Sequence, residues 1–168
     1  GIRRLHAGYG IVESWQKRSV AIPLVITEEY LQTSKDSYPM EFFNMKQYHQ
    51  VVHGRDVLSD VEVERNHLRL QCEGEIKGKL LHLRQGFFQT GKKRDALNRL
   101  LRESMRTFFA IFPAILHLMG VAIPGDRKGV LEKLVESAGL DKRIFQRLWN
   151  VYSGEERIGR FSDGTVLW

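Results

Sequence analysis

Six charged side chains, Arg69, Glu73, Glu75, Lys77, Lys79 and Arg84, fall within residues 68–85 around an apolar series of Leu68, Cys72, Ile76, Leu80, Leu83 and Phe87. Steps of four and three mark one buried side of a helix. Glu73 precedes Lys77, and Glu75 precedes Lys79, by four residues, the order in which a helix gains most from an acid and a base. The outer face is therefore either solvated or the polar wall of a cleft. Across residues 77–106 nine bases (Lys77, Lys79, Arg84, Lys92, Lys93, Arg94, Arg99, Arg102, Arg106) face two acids (Asp95, Glu103), so this one segment exceeds the +6 of the whole chain. Such a field attracts phosphate on a nucleotide, a nucleic acid or an anionic surface; the alternative is a solvated face with a connecting loop at Gly91-Lys92-Lys93-Arg94. Aromatic residues do not interleave with these bases, which disfavours a nucleic-acid partner.

Other groups capable of chemistry are sparse. His49 and His53 are four apart and could meet on a helix, yet no third ligand lies nearby, so no metal site is expected. His82 reads as a surface or core-edge histidine, and Cys72, alone in the chain, as a small buried hydrophobe. Thr90-Gly91-Lys92-Lys93 lacks the upstream glycine and the hydroxyl residue of a phosphate-binding loop; no Gly-x-Ser-x-Gly or Gly-x-Gly-x-x-Gly occurs. Glu41 stands out because its neighbours Tyr38, Pro39, Met40, Phe42 and Phe43 are apolar. A carboxylate there either points to solvent from an edge strand or is buried with a partner or a cation.

The elements that would carry these residues divide the chain. Residues 1–60 read as strand-containing, with candidates at 20–27, where Pro23 implies an edge, and at 38–45; a brief third candidate, 61–63, follows just beyond. Thr27 suits the cap of a short helical turn. From about residue 64 the pattern is helical: residues 64–89, then 95–119 with a kink at Pro113, then helices capped by Asp126 and Asp141. Residues 61–152 are thus expected as an antiparallel four-helix bundle, and 153–168 as an irregular, partly disordered tail. The fold class is α+β, mainly α, with a small remnant of a mixed sheet. At 168 residues, 42% apolar and 27% charged, the composition is that of a soluble globular domain. With one cysteine, no apolar run near the roughly 20 residues a bilayer span needs and no signal-peptide core, a reduced cytoplasmic setting without a membrane is expected.

In order, Ile22-Pro23-Leu24-Val25-Ile26-Thr27, then Ser34-Lys35-Asp36-Ser37-Tyr38-Pro39-Met40-Glu41-Phe42, Val51-Val52-His53-Gly54-Arg55-Asp56 and the spaced series Leu68-Arg69, Gln71, Glu73, Glu75, Lys77, Lys79-Leu80, Leu83-Arg84 resemble the later portion of a bacterial nucleotidyltransferase. The family is the DNA polymerase β-like superfamily, of the kanamycin nucleotidyltransferase kind, and the resemblance covers residues 20–150. It implies a small sheet with a Gly-Ser turn and an Asp-x-Asp pair binding two Mg²⁺ ions, a third carboxylate on a neighbouring strand, and a helical bundle closing the cleft. It further implies nucleotidyl transfer from a nucleoside triphosphate to a hydroxyl, with dimers common. Glu41 would match the third carboxylate, and Lys77, Arg84 and Glu73 would contact the triphosphate or acceptor. The Gly-Ser turn and Asp-x-Asp pair are absent; the nearest look-alike is Ser162-Asp163-Gly164-Thr165. The chain alone is therefore expected to be inactive, the C-terminal part of such an enzyme, and its abrupt start favours a fragment. The alternative is a non-catalytic helical module that binds nucleotide, RNA or a protein through its basic face. A ribonuclease toxin, with Lys77 and His82 in the place of an Arg–His pair, ranks below both because lysine lacks the bidentate clamp.

Overall fold

The computed structural model describes residues 2–159. Among them the architecture is mainly helical and contains no strand: a 3₁₀ segment Ile2–Gly8 leads into α1 (Tyr9–Lys17), α2 (Glu28–Thr33), α3 (Pro39–Tyr48), α4 (Arg65–Gln89), α5 (Arg94–Phe108), α6 (Phe112–Leu118), α7 (Arg127–Ser137) and α8 (Lys142–Ser153). No helix among the described residues is long and apolar enough to cross a membrane.

The caps follow from local chemistry. Thr27 accepts a hydrogen bond from the Tyr30 N–H at 3.1 Å, Asp126 from Lys128 and Gly129, and Asp141 from Arg143 and Ile144, so α2, α7 and α8 each start with one or two free donors engaged by a side chain. Gly91, Gly120, Gly139 and Gly154 follow helix ends with φ between +55° and +90°. That left-handed backbone is cheap only without a Cβ.

No sheet remnant is present among the described residues. Residues 20–27 have no regular structure, and Val20, Ile22, Leu24 and Val25 are exposed. No strand lies beside them to pair with, and Pro23 lacks the N–H that pairing would use. Residues 38–45 fall mostly in α3, which Pro39 opens, because the ring's fixed φ suits the first helical turn. Helix α3 buries two sides. Met40 and Phe43 enter a cluster with Leu68, Cys72, Ile111 and Ala114, while Phe42 joins Leu31 and Val61 in another. A helix wedged between two clusters is apolar nearly all round, which imitates a buried strand in sequence. Residues 61–63 form no strand either; Val61 closes a turn on the Leu58 carbonyl and is buried against Leu31 and Phe42.

The long second helix is broken rather than kinked. Helix α5 ends at Phe108, and α6 restarts with Pro113 in its first turn, where the missing N–H costs nothing. Met105 and Phe109 pack with Phe112, Leu116, Val130, Leu131 and Leu134 across the break, and Ile111 and Ala114 join Leu68 and Met40, so the segment beyond Phe108 feeds two clusters.

Helix α4 packs on α3, α5 and α6; α5 packs on α8, and α7 on α6 and α8. Gly86 permits the α4–α5 approach, since a Cβ there would lie 2.6 Å from the Leu100 side chain. The described part of the tail, through residue 159, is irregular but anchored: Ile158 is buried with Leu97, Leu101 and Val151. Residues 160–168, which include the Ser162-Asp163-Gly164-Thr165 look-alike and the portion expected to be disordered, lie outside the described residues.

Candidate functional site

Leu97, Leu101 and Met105 sit on one side of α5, buried against α7 and α8. At 100° per residue, Arg99, Arg102 and Arg106 then fall within an arc of about 60° on the far side, with rises of about 4.5 and 6 Å between them. Arg99 and Arg106 are exposed. Arg102 lies nearest the interior, and its Nε donates to the Val151 carbonyl at 2.8 Å in the last turn of α8. One guanidinium of the three is thereby held in place.

A fourth arginine reaches this face from the tail. Asn98, only 7% exposed, accepts from the Ile158 N–H at 2.9 Å and donates to the Ile158 and Arg94 carbonyls. This two-way bond ties the tail along α5 and sets Arg157 in one cleft of about 360 Å³ with Asn98, Arg99, Arg102 and Arg106. Glu156 is bound by Arg147 at 3.2 Å, so the acid beside Arg157 is occupied. A second cleft of about 660 Å³ adjoins at the start of α5, lined by Lys92, Lys93, Arg94 and Arg99. A third, of about 440 Å³, shares Arg106 and adds Tyr48, Phe109 and Arg127.

Along this face Lys92, Lys93, Arg94, Arg99, Arg102, Arg106 and Arg157 form no ion pair with the described residues. The acids lining the first two clefts, where these seven bases lie, are Asp95 and Glu103. Even if both were engaged, five positive charges would remain. The helix dipole adds to them, because α5 begins here without a side-chain cap. An array of this kind can hold several phosphates in a row, each by charge-assisted hydrogen bonds.

The residues singled out from the sequence do not converge. Glu41 is exposed in the first turn of α3, and its Oε2 accepts from the Gln71 amide at 2.8 Å, while Gln71 Oε1 accepts from the Met40 N–H at 2.7 Å. It helps pin α3 to α4. Lys77 and Arg84 lie about 120° and 140° around the α4 axis from Gln71, away from Glu41. Lys77 is held at 2.5 Å by Glu73, which also binds Arg69 at 3.3 Å; the hydrogen bond and charge of Lys77, then the charge of Arg69, hold the Glu73 carboxyl below its usual range. Arg84 is exposed and forms no ion pair among the described residues.

The surroundings of Glu41 do not fit a pair of Mg²⁺ ions. Its hydrogen-bonding neighbour is an amide, and no group of three or more His, Cys, Asp or Glu among the described residues is placed to hold a metal ion. His49 and His53 do not share a helix. His49 follows the end of α3, its Nε2 3.0 Å from Asp56 and its Nδ1 3.0 Å from the Lys46 carbonyl, while His53 lies in the irregular segment beyond. Hydrogen bonding to Asp56 raises the His49 pKa and lowers that of Asp56. Cys72 is buried as expected, and desolvation, with Glu75 nearby, pushes its thiol up to about 11.

Sequence reading missed two members of the basic face. Asn98 is polar beside an apolar series, which signals a buried hydrogen-bonding role. Arg157 lies some fifty residues away from the other arginines in sequence. No protein-family model, no curated protein and no solved structure matches this chain.

Proposed function

We propose that this chain is a non-catalytic helical module that binds a phosphate-bearing polyanion along the outward face of α5. The observation that carries this reading is the row of seven bases, gathered from the α4–α5 turn, α5 and the tail, with no ion-pair partner among the described residues. Unneutralised charge repels itself, and a row of it on an ordered helix is compensated when an anion binds. If the chain works within a larger nucleotidyltransferase, this face supplies charge for a triphosphate, while the acids for Mg²⁺ have to come from elsewhere.

Sodium polyphosphate binding, followed by fluorescence titration over a salt series, tests this function. Arg99→Gln with Arg106→Gln lowers the slope of log affinity against log salt by about 2, because two phosphate contacts are removed. Lys77→Gln leaves the slope unchanged, since Lys77 is already held by Glu73. Affinity that does not respond to salt, or equal slopes for the two variants, would sink the reading.

A further inference from the structure

We infer that this chain pairs with a second copy of itself, each copy seating the apolar face of α1 in an apolar cleft of the other that shares no residue with the arginine clefts. Nine residues make too short a helix to hold its shape alone in water, so α1 has to pack on something. At 100° per residue Tyr9, Ile11, Val12 and Trp15 share an arc of about 160°, and Glu13 and Lys17, paired at 3.1 Å, lie outside it. The polar side is thus complete, whereas the apolar side meets water. Helix α1 packs on the 3₁₀ segment and buries no residue, with Tyr9 72%, Ile11 55% and Trp15 40% exposed. Val20, Ile22, Leu24 and Val25, on the irregular stretch that returns to α2, are exposed as well. A monomer rarely leaves so much apolar surface together.

The cleft lies at the base of this arm. It measures about 530 Å³, is lined mainly by Leu24, Val25, Tyr30, Tyr38, Phe42 and Met45, and has Glu41 on its wall. Leu5 of the 3₁₀ segment reaches it, but no residue of the chain's own α1 does. Each chain therefore carries one apolar helix face without a seat and one apolar cleft that this helix does not fill, and two copies related by a twofold axis satisfy both at once. The area suffices: the exposed parts of Tyr9, Ile11, Trp15, Val20, Ile22, Leu24 and Val25 come to on the order of 800 Å², what each partner of a standard interface buries. Charge agrees, because Arg18 at the end of α1 and Glu41 on the cleft wall each form no ion pair among the described residues. An anionic membrane fits less well. A helix lying in a lipid surface needs a basic polar face, and on α1 Glu13 cancels Lys17.

Sedimentation equilibrium of the full chain over a concentration series tests the inference. The mass should rise from that of one chain toward that of two. Trp15→Ala on the helix face and Leu24→Asp at the cleft should each raise the dissociation constant at least about 30-fold, the mark of a residue central to an interface. Neither side chain is buried within one chain, so urea unfolding of the dilute, monomeric protein stays unchanged in both variants. A benzoylphenylalanine cross-linker in place of Trp15, activated in a mixture of isotope-labelled and unlabelled chains, should join α1 of one copy to residues 24–45 of the other. A mass of one chain at every concentration, a dimer that both variants leave unaltered, or cross-links that join α1 only to α1 would each overturn the inference. So would Trp15-dependent binding to phosphatidylserine vesicles by a protein that stays a single chain in solution.

Discussion

Lys77 lies 2.5 Å from Glu73 and Lys79 lies 2.8 Å from Glu75, whereas Arg99 and Arg106, on the next helix, have no carboxylate within ion-pair distance among the described residues. Both helices expose several bases, but their acids differ in reach and surroundings. On α4 each glutamate precedes its lysine by four residues, and Glu73 serves two bases at once. On α5, Asp95 precedes Arg99 by the same four residues without pairing, and Arg102 is drawn away to the Val151 carbonyl. Favourable spacing permits an ion pair without enforcing it, because an exposed pair is worth only about 0–1 kcal/mol. The face with more charge at first reading is therefore the quieter one.

The largest effect expected from a change that tests this contrast is at Asn98. Asn98→Ala removes both bonds to Ile158, leaves the buried backbone groups of the tail unsatisfied, and lowers stability by about 1–3 kcal/mol in urea denaturation. It should also weaken polyphosphate binding as Arg157→Gln does, because Arg157 loses its tether. Unchanged stability would mean that the tail does not depend on α5.

Glu73→Gln is the smaller and more pointed change. It frees Lys77 and Arg69, so α4 should acquire phosphate affinity and the salt slope should rise by about 1–2. An unaltered slope would show that pairing is not what separates the two helices. The smallest effect is expected from pH. His49, raised above its ordinary 6.5, stabilises its tie to Asp56 below that value and loses the contribution as pH rises through the raised one. Asp56, lowered from 3.8, contributes above that value and loses it as pH falls through the lowered one. The tie is therefore strongest between roughly pH 3.8 and 6.5. Melting temperatures of the native chain and His49→Ala should differ most there, while polyphosphate affinity stays flat because guanidinium groups remain charged throughout.

Much of the helical framework was legible in the sequence because its signals are local. Thr27, Asp126 and Asp141 each cap the helix that follows, and the apolar series through Leu68 and Cys72 lies on a helix close to its expected limits. Helix α3 was not legible. Met40, Phe42 and Phe43 are apolar for the sake of two clusters on different sides, so their pattern has neither a helical nor a strand period. Helix α1, which buries no residue, was not read from the sequence either. The candidate site was half legible. The excess of bases was visible, but the count over residues 77–106 began just after Glu73 and Glu75 and so included two lysines already engaged.

By itself the sequence determined the positions of the caps, the lengths of α4, α7 and α8 and the helical character of the second half. These depend on interactions between residues no more than about four apart, whose signals are written in the local sequence. Only the tertiary structure decided that residues 38–45 belong to a helix and that the chain breaks after Phe108 to feed two clusters. It also decided that Arg157 joins Arg99, Arg102 and Arg106 on one face. Those outcomes rest on contacts between residues far apart in the chain, above all the Asn98–Ile158 pair, and such contacts exist only once the helices have packed.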